Sequence, residues 1–429
     1  YRSDGALRVY DATSAVPAGS NTNQGIALTS DGQLCYTTGN TTSFNLNGVA
    51  VDSSRRVYAA PLAFELQFAD LGAGVVDTAE EITGATPTFT RATVAWTKLA
   101  SGLWAQVASG TARSSYLGAT TAVGAYGGYL SEGARTQLVT PDANIRDMTG
   151  VGWAAVTMTV AKTATGIDGV VNSATTLTAT GAAATVLHLL VAAASDRTYS
   201  AWIRRVIGTG TVKLVQGATK SSDFAGSINT STYTRVELDA TVDVTLLGYG
   251  IELGTSGDVI EVDFNQFEAG AFASTPIATA GTRNADVLTY PQPTGFNIIG
   301  TLFAQWIKTP LITGEGVAVG SDNNAAPQIN TIFSASAMTS YDGTNNPTLN
   351  VGPFVAGTSY RLATAWSGIT FSGTSGGAAP GSGTFDGDLQ STTNISIMSI
   401  NGSVVYGVMR RVTYWPTRLP DATLQALTT

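Results

Sequence analysis

The sequence predicts an all-β protein, with N-terminal β-hairpin repeats followed by two antiparallel β-sandwich (jelly-roll) domains. Apolar and polar residues alternate in short segments rich in β-branched residues, which is typical of strands. Glycine is abundant, at 48 of 429 residues, and it stands with Asn, Asp and Ser where these segments end. One short helix is predicted at residues 421–427, because Pro420 and Asp421 form a helix start and Leu424 and Leu427 share one face.

The composition excludes several classes of protein. Hydrophobic residues make up 43% of the chain and charged residues 12%, which is unlike a disordered protein. The net charge is −8 and no run of basic residues is present, so we expect no nucleic acid as a partner. No stretch approaches 18 apolar residues, so we expect no membrane-spanning helix. The first residue is Tyr1 rather than Met, so we expect a start inside a longer chain.

Residues 1–60 contain a degenerate repeat. The segment at 25–36 (GIALTSDGQLCY) resembles 48–58 (GVAVDSSRRVY), and residues 3–10 (SDGALRVY) repeat the second half of the unit. Each unit is predicted to form a strand, a turn and a second strand. Because a single hairpin is only marginally stable, these units need a neighbouring surface, and we expect residues 1–60 to be an attachment module.

Three further regions follow. Residues 61–138 are rich in Gly, Ala and Thr, and they form either a β-rich connecting and oligomerisation region or an ordered linker with a few strands. Residues 139–290 have turn residues about every 10 positions, which is typical of a jelly roll. Two prolines and a glycine at 290–295 (YPQPTG) mark a boundary, and residues 291–429 are predicted to form the second sandwich.

Residues 87–93 (PTFTRAT) and 128–138 (GYLSEGARTQL) form a pair of motifs. The pair resembles one found in bacteriophage head-spike and tail-fibre proteins, with Thr93 where Ser is usual and Gln137 where Asn is usual. The charged, proline-rich stretch commonly found between the two motifs is missing here. Residues 282–290 (TRNADVLTY) resemble the exit from a domain of the same proteins.

Both sandwiches take part in this resemblance. Residues 198–205 (TYSAWIRR) and 257–270 (GDVIEVDFNQFEAG) are similar to a carbohydrate-binding-module jelly roll, and residues 412–428 resemble the C-terminal strand and helix of concanavalin-A-like, laminin-G-like sandwiches. The resemblance implies a structural protein of a phage virion. In the jelly-roll family an aspartate of the last strand often helps to hold a structural calcium ion, and Asp263 is the matching position. No other cofactor is implied.

Catalysis finds little support in the sequence. Glu261 and Asp263 share one strand face and are the candidate carboxylate pair for glycoside hydrolysis, but the alternation with Val262 and Phe264 favours two outward-facing structural residues. The single histidine, His188, lies in an apolar run without a partner, and we expect a buried structural role. The single cysteine, Cys35, is expected to be a small apolar side chain. The glycines at 314–320 match no nucleotide-binding loop. The sequence therefore predicts no enzyme and names no catalytic residue.

Aromatic side chains are the usual platforms for sugar rings. Trp202, Trp306, Tyr406, Tyr414 and Trp415 are expected in the cores of the sandwiches. The three aromatic residues nearest to predicted loops are the candidates for exposure, and they are Trp153, Tyr341 and Phe354. Loop residues 321–324 and 343–346 are either glycan-binding groups or ordinary turns.

The sequence and the resemblance together indicate a non-enzymatic virion protein. A head spike, head fibre or head decoration is favoured over a tail fibre. We expect the N-terminal repeats to attach the chain to capsid or tail proteins, the chain to form a homotrimer, and the sandwiches to contact host surface polysaccharide. Two alternatives stay open: a tailspike enzyme that degrades polysaccharide, and a secreted bacterial adhesin that binds carbohydrate.

Overall fold

The structure is a computed structural model, which describes residues 85–99, 101–116, 126–139, 145–191, 195–242, 246–270, 272–277, 281–296, 298–308, 358–384, 393–400, 403–404 and 406–429. Outside these ranges it describes only the backbone of further strands.

The strands of the first third of the chain are short. They are β1 (Gly25–Leu28), β2 (Leu34–Thr37), β3 (Phe44–Leu46), β4 (Val49–Val51), β5 (Phe64–Gln67), β6 (Thr88–Thr90), β7 (Ala95–Lys98), β8 (Trp104–Val107), β9 (Arg113–Tyr116), β10 (Tyr126–Ser131) and β11 (Arg135–Gln137). The middle of the chain contains the longest strands. They are β12 (Trp153–Val156), β13 (Met158–Ala164), β14 (Ala174–Ala179), β15 (Ala184–Val191), β16 (Ser195–Ile207), β17 (Val212–Gln216), β18 (Thr219–Lys220), β19 (Thr234–Val242), β20 (Leu246–Leu253), β21 (Val259–Ala269) and β22 (Gly281–Arg283).

The last third of the chain contains the remaining strands and a C-terminal helix. They are β23 (Val287–Pro291), β24 (Ile299–Lys308), β25 (Gly316–Ser321), β26 (Gln328–Phe333), β27 (Ala337–Tyr341), β28 (Thr348–Asn350), β29 (Ser359–Ser367), β30 (Thr370–Ser375), β31 (Gly381–Thr384), β32 (Asn394–Ile397), β33 (Ser399–Ile400), β34 (Ser403–Val404) and β35 (Gly407–Trp415), followed by α1 (Asp421–Thr428).

The predicted all-β class is confirmed. Each strand pairing that the structure describes is antiparallel, and the strands build several sheets that pack as sandwiches. The described part of the chain contains no helix that is long and apolar enough to cross a membrane.

The first sandwich is a jelly-roll-like pair of sheets. One sheet has the order β13-β14-β21-β16-β19. β11 also pairs with β21, near the C-terminal end of that strand, and β22 pairs with β11. The other has the order β12-β15-β20-β17-β18. Alternate residues of both sheets point into one shared core, with Leu177, Ile203 and Val262 from the first sheet and Val186 and Ile251 from the second all fully buried.

The second sandwich takes strands from distant parts of the chain. One sheet has the order β31-β30-β29-β24-β35-β10-β9, with β5 also on β35, and the other has the order β28-β27-β26-β25-β32-β23-β6. Phe89 of one sheet and Tyr129 of the other meet edge to face, with ring centroids 6.5 Å apart. The region at 61–138 therefore supplies β5, β6, β9 and β10 to this sandwich and β11 to the first. The four-part division of the chain stays a prediction.

A glycine inside β24 makes room for the largest rings of the second core. A Cβ on Gly300 would lie 2.3 Å from the Tyr414 ring and 2.7 Å from the Trp366 ring. The two rings stack with centroids 6.0 Å apart, and Trp366 Nε1 donates to the carbonyl of Phe296 while the Tyr414 hydroxyl donates to the carbonyl of Ile299. Such a contact explains a glycine in the middle of a buried strand.

The N-terminal repeats agree with the prediction in part. β1 and β2 form the predicted hairpin at 25–37. In the second repeat β4 pairs with the preceding β3, which the prediction did not include. Only two residues lie between β3 and β4, so this local pairing needs little loop closure. Residues 3–10 and 55–58 lie outside the described part of the chain.

The predicted C-terminal helix is present and lies against a sheet of the second sandwich. Leu424 of α1 is fully buried with Phe303, Ala363, Ala365 and Trp415. Asp421, in the first turn of the helix, is exposed and contributes little to this packing.

We expect Leu424→Ala to lower the free energy of unfolding by about 2–5 kcal/mol, because it leaves a cavity under the helix. Leu427→Ala is the matched control, since Leu427 is only half buried at the edge of the same cluster. Chemical denaturation followed by tryptophan fluorescence measures both. Equal losses in the two variants would contradict the packing described here.

Candidate functional site

Three motifs that are far apart in the sequence meet at one buried point between the two sandwiches. Arg91 follows β6, Glu132 follows β10, Arg283 ends β22 and Asp286 precedes β23, and Arg113 of β9 completes the group. All five side chains are at least 98% buried. We call these five residues the junction cluster.

Asp286 is the centre of the junction cluster. Its two carboxylate oxygens accept from Arg91 Nη1, at 2.7 Å, and from Arg113 Nη2. One oxygen also accepts from the backbone N–H of Glu132, at 3.0 Å, and the backbone N–H of Asp286 donates to the carbonyl of Glu132 at 2.9 Å. The two acidic residues are therefore fixed to each other through the backbone as well as through shared arginines.

Glu132 is held as firmly. Its Oε2 lies 2.8 Å from Arg113 Nη2 and 2.6 Å from Arg283 Nη1. Thr275 donates to the same carboxylate from its backbone N–H, at 2.9 Å, and from its hydroxyl. Such bonds to an ionised group are the strong class of hydrogen bond.

The cluster has three guanidinium groups and two carboxylates, so one positive charge is in excess. Backbone carbonyls compensate for it: Arg91 donates to the carbonyls of Thr93 and Ala108, Arg113 to that of Trp96, and Arg283 to that of Gly133. Burial alone would raise the pKa of Glu132, but the charges of Arg283 and Arg113 and the hydrogen bonds from Thr275 outweigh it and lower the pKa to about 2. Glu132 is therefore ionised at neutral pH.

The two positions at which the motifs depart from the phage pattern keep a polar contact. The hydroxyl of Thr93 accepts from the backbone N–H of Asn284 at 2.9 Å, and a serine hydroxyl could do the same. The side-chain carbonyl of Gln137 accepts from the backbone N–H of Phe267 at 2.9 Å.

The sequence alone does not show that the charges of these motifs form one group. The available signal was the placement of scarce charges: in a chain with only 12% charged residues, each of the three motifs contains an arginine or an acid. Arg113 lies outside all three motifs, and nothing in its surroundings in the sequence indicates a buried ion pair.

Asp263, the position that matches a calcium ligand in the jelly-roll family, forms an ion pair with Arg146. It is fully buried, and its two oxygens accept from Arg146 Nε at 2.8 Å and Arg146 Nη2 at 2.9 Å. The backbone N–H groups of Ile167 and Phe264 donate to the same carboxylate, each at 2.9 Å. Because a guanidinium fills the place that a cation needs, we assign Asp263 to this ion pair. Within the described residues, no group of three or more His, Cys, Asp or Glu side chains is arranged to hold a metal ion.

The candidate carboxylate pair is split between two arginines. Glu261 is half buried and accepts from Arg204 Nε at 2.7 Å, whereas Asp263 is fully buried under Arg146. Asp263 is opposite Trp202 in the register, on the outward face as predicted, but this face is covered at Asp263 rather than exposed. Its backbone lies at a bulge, where the next residue, Phe264, has a φ of 45°, and the segment around Arg146 covers it.

A partly exposed group of aromatic and charged side chains lies around Glu261. Trp202 and Arg204 alternate with the fully buried Ala201 and Ile203, so they point away from the core between the sheets. The Trp104 ring from the β7–β8 hairpin contacts Trp202 edge to face, with centroids 5.2 Å apart. We call Trp104, Trp202, Arg204, Tyr233 and Glu261 the outer aromatic face.

The outer aromatic face is held in place by polar contacts. The guanidinium of Arg204 lies 5.0 Å from the centroid of the Tyr233 ring and pairs with Glu261. The Tyr233 hydroxyl donates to the carbonyl of Thr165 at 2.8 Å. Rings and charged groups are thus fixed while part of each stays accessible. Trp202, predicted in the core, is half buried and packs against the core cluster of the first sandwich.

The other predicted site residues have mixed outcomes. Trp306, Tyr414 and Trp415 are buried as expected, and Tyr406 is half buried against Phe272. His188 is buried on β15. Trp153 is half buried, and its ring contacts His188 and Tyr249. The side chains of Cys35 and Tyr341, all of Phe354, and the loops at 322–324 and 343–346 lie outside the described part of the chain.

The chain is weakly similar to a few solved structures. No protein-family model and no curated protein matches the chain. Among solved structures, the CBM40 module of the Ruminococcus gnavus IT-sialidase, bound to α2,3-sialyllactose, is 18% identical and covers 30% of this chain and 82% of that chain, with a TM-score of 0.27. The leech intramolecular trans-sialidase is 16% identical, with 31% and 24% covered and a TM-score of 0.27. A SAP-like pentraxin from Limulus polyphemus is 12% identical, with 30% and 70% covered and a TM-score of 0.25. Likenesses this weak carry no argument about function.

We expect the stability of the protein to fall in acid because of Glu132. Its pKa is about 2 in the folded protein and 4.5 in a free side chain, so the unfolded chain takes up the proton first. The contribution is complete above pH 4.5 and is lost as the pH falls towards 2. Glu132→Gln should cost about 3–5 kcal/mol at pH 7, because it leaves three buried arginines with a single carboxylate, and it should flatten this part of the pH profile.

Denaturant unfolding measured between pH 2 and 7 tests this. Asp421→Asn is the control, since Asp421 forms an exposed ion pair with Arg418 and should change stability by no more than about 1 kcal/mol. A Glu132→Gln profile that is as steep as that of the unchanged protein would contradict the assignment.

Proposed function

We propose that this chain is a non-enzymatic structural protein of a phage virion that binds host surface polysaccharide. The observation that carries the glycan-binding part is the outer aromatic face, where two tryptophans and a tyrosine are fixed in position and remain partly exposed. Flat rings stack on the apolar face of a sugar, and Arg204 and Glu261 can hydrogen-bond its hydroxyl groups. The face is preorganised, which lowers the entropic cost of binding.

The non-enzymatic part of the proposal rests on the engaged carboxylates. A glycosidase needs one carboxyl group to protonate the leaving oxygen and a second to attack or to activate water. Glu261 is paired with Arg204 and Asp263 with Arg146, so neither is free for these steps. The acids of the junction cluster are buried and paired in the same way.

The virion part of the proposal rests on the phage motifs and on what they do here. Residues of three of these motifs meet in the junction cluster, so three of the segments that resemble virion proteins take part in joining the two sandwiches. In this proposal the N-terminal repeats attach the chain to capsid or tail proteins. A homotrimer would present three copies of the outer aromatic face, and such multivalency raises the avidity of weak single sites.

We expect Trp104→Ala to weaken binding to a polysaccharide ligand by about tenfold, because aromatic anchors dominate such interfaces. A glycan array of bacterial surface polysaccharides identifies the ligand, and calorimetric titration compares the variants. Tyr360→Ala is the matched control, since Tyr360 is a partly exposed aromatic residue of the other sandwich. Equal binding by the Trp104→Ala variant, or release of new reducing ends from the ligand, would contradict the proposal.

We expect the chain to be found in purified phage particles. Mass spectrometry of particles, compared with the culture supernatant of the host, separates a virion protein from a secreted adhesin. A particle map in which the N-terminal repeats contact the head, with three copies at each position, is the expected result. Its presence only in supernatant of phage-free cells would overturn the virion assignment.

A further inference from the structure

The outer aromatic face continues along the same sheet as a strip of threonines. Glu261 of β21 lies opposite Thr176 of β14 in the register. Thr178 of β14 lies opposite Thr159 of β13. The hydroxyls of Thr176 and Thr163 are 2.9 Å apart, and one donates to the other. We call Thr159, Thr163, Thr176 and Thr178 the threonine strip, which extends the aromatic face on the side of Glu261.

The threonine strip lies on the solvent side of the sheet. Between its members, Val160 of β13 and Leu177 of β14 point the other way and pack in the core of the first sandwich. The two threonines of β13 are exposed and the two of β14 are half buried. β13 is the edge strand of the sheet, so the strip ends at the rim of the sandwich. A ligand can therefore reach these hydroxyls from solvent.

Hydroxyl groups alternate with apolar groups along this surface. Each threonine contributes a methyl group and a hydroxyl, and the hydroxyl can both donate and accept. Val259, opposite Thr178, is half buried, and Ile207 beyond it is 58% exposed. A sugar chain presents the same alternation of hydroxyl groups and C–H faces, so the surface is chemically complementary to it.

The side chains of this surface form a row that runs across the strands. Arg204, Glu261 and Thr176 lie side by side on β16, β21 and β14, and Ala161 of β13 completes the row. Neighbouring strands are about 4.8 Å apart, so the row from β16 to β13 is about 14 Å long. A single sugar ring fills only part of that length, so the row fits several residues of a chain.

The charges beside the threonine strip are already paired. Arg204 pairs with Glu261, and Lys162 of β13 lies 3.3 Å from a carboxylate oxygen of Asp147. An acidic polysaccharide needs cationic donors that are not already engaged by carboxylates. The net charge of −8 also repels an anionic chain. The surface therefore favours a polysaccharide without charge.

We propose that the outer aromatic face and the threonine strip form one continuous track for an uncharged polysaccharide, whose chain lies across β16, β21, β14 and β13. The rings of the aromatic face stack on one part of the chain, and the threonine hydroxyls hydrogen-bond the next part. This inference rests on the glycan binding proposed above, and it adds the class of polysaccharide and the course of its chain.

The class of polysaccharide is tested on the array of bacterial surface polysaccharides. Dextran and mannan represent uncharged chains on it, and colominic acid and hyaluronan represent acidic ones. We expect binding to uncharged chains, with the same affinity in about 0.1 M and 1 M NaCl, although the Debye length falls from about 10 Å to about 3 Å. A preference for acidic chains that is lost in the higher salt would overturn the uncharged class.

The length of the bound chain tests the threonine strip. Fragments of two and of six sugar residues, cut from the uncharged polysaccharide that binds, are compared by calorimetric titration. We expect the unchanged protein to bind the longer fragment more tightly. Thr159→Val combined with Thr178→Val removes two hydroxyls and keeps the shape of the side chains. This double variant should bind the longer fragment about threefold to tenfold more weakly and the shorter fragment equally well.

Thr185→Val is the matched control, because Thr185 is a half-buried threonine on the outer face of the other sheet, opposite Glu252. It should leave the binding of both fragments unchanged. A double variant that keeps the full gain of affinity with chain length, or an equal loss in Thr185→Val, would overturn the role of the strip.

The Trp104→Ala variant separates this inference from the proposed function. We expect it to weaken the binding of both fragments, because each of them occupies the aromatic face. If Trp104→Ala weakens binding and the double variant does not, the proposed function holds and the strip is wrong. If no glycan of the array binds to the unchanged protein, both are wrong.

Discussion

The five buried side chains of the junction cluster impose the constraint on which the rest of the molecule depends. Removing a charge from water costs several kcal/mol, and the attraction between partners compensates only when the geometry is close. Here three guanidinium groups and two carboxylates lie without solvent where β6, β9 and β10 of one sandwich meet β22 and the β22–β23 connection. If the two sandwiches moved apart, Arg283 of the first would lose its contact with Glu132, which follows a strand of the second. The cluster therefore specifies one arrangement of the two sandwiches.

This arrangement has consequences for the surface. The same β7–β8 hairpin that leads from Arg91 to Arg113 carries Trp104, whose ring completes the outer aromatic face. Trp96 of the hairpin is buried against Phe264, with ring centroids 5.0 Å apart, and its carbonyl accepts from Arg113. The proposed glycan-binding face is thus positioned by a hairpin whose ends are held by the ion pairs of the junction cluster.

Much of the fold could be predicted from the sequence because strands and turns are local properties. Period-two alternation, glycine-rich turns and the helix start at Pro420 were enough for the fold class and for α1. The pairing of β5, β6, β9 and β10 with strands of the last sandwich could not be predicted, since it joins residues more than 150 positions apart. Asp263 was misjudged because alternation indicates a face of a sheet but not what covers that face. The register that aligns Arg204, Glu261 and Thr176 is equally invisible in the sequence, where the three residues belong to separate strands.

Scanning calorimetry of the unchanged protein and of Asp286→Asn tests the central claim most directly. The substitution leaves three buried arginines with one carboxylate and keeps the shape of the side chain. If the junction cluster joins the sandwiches, the unchanged protein unfolds in one cooperative transition and the variant in two, with the first at a lower temperature. Two independent transitions in the unchanged protein, or a single unshifted transition in the variant, would contradict the account.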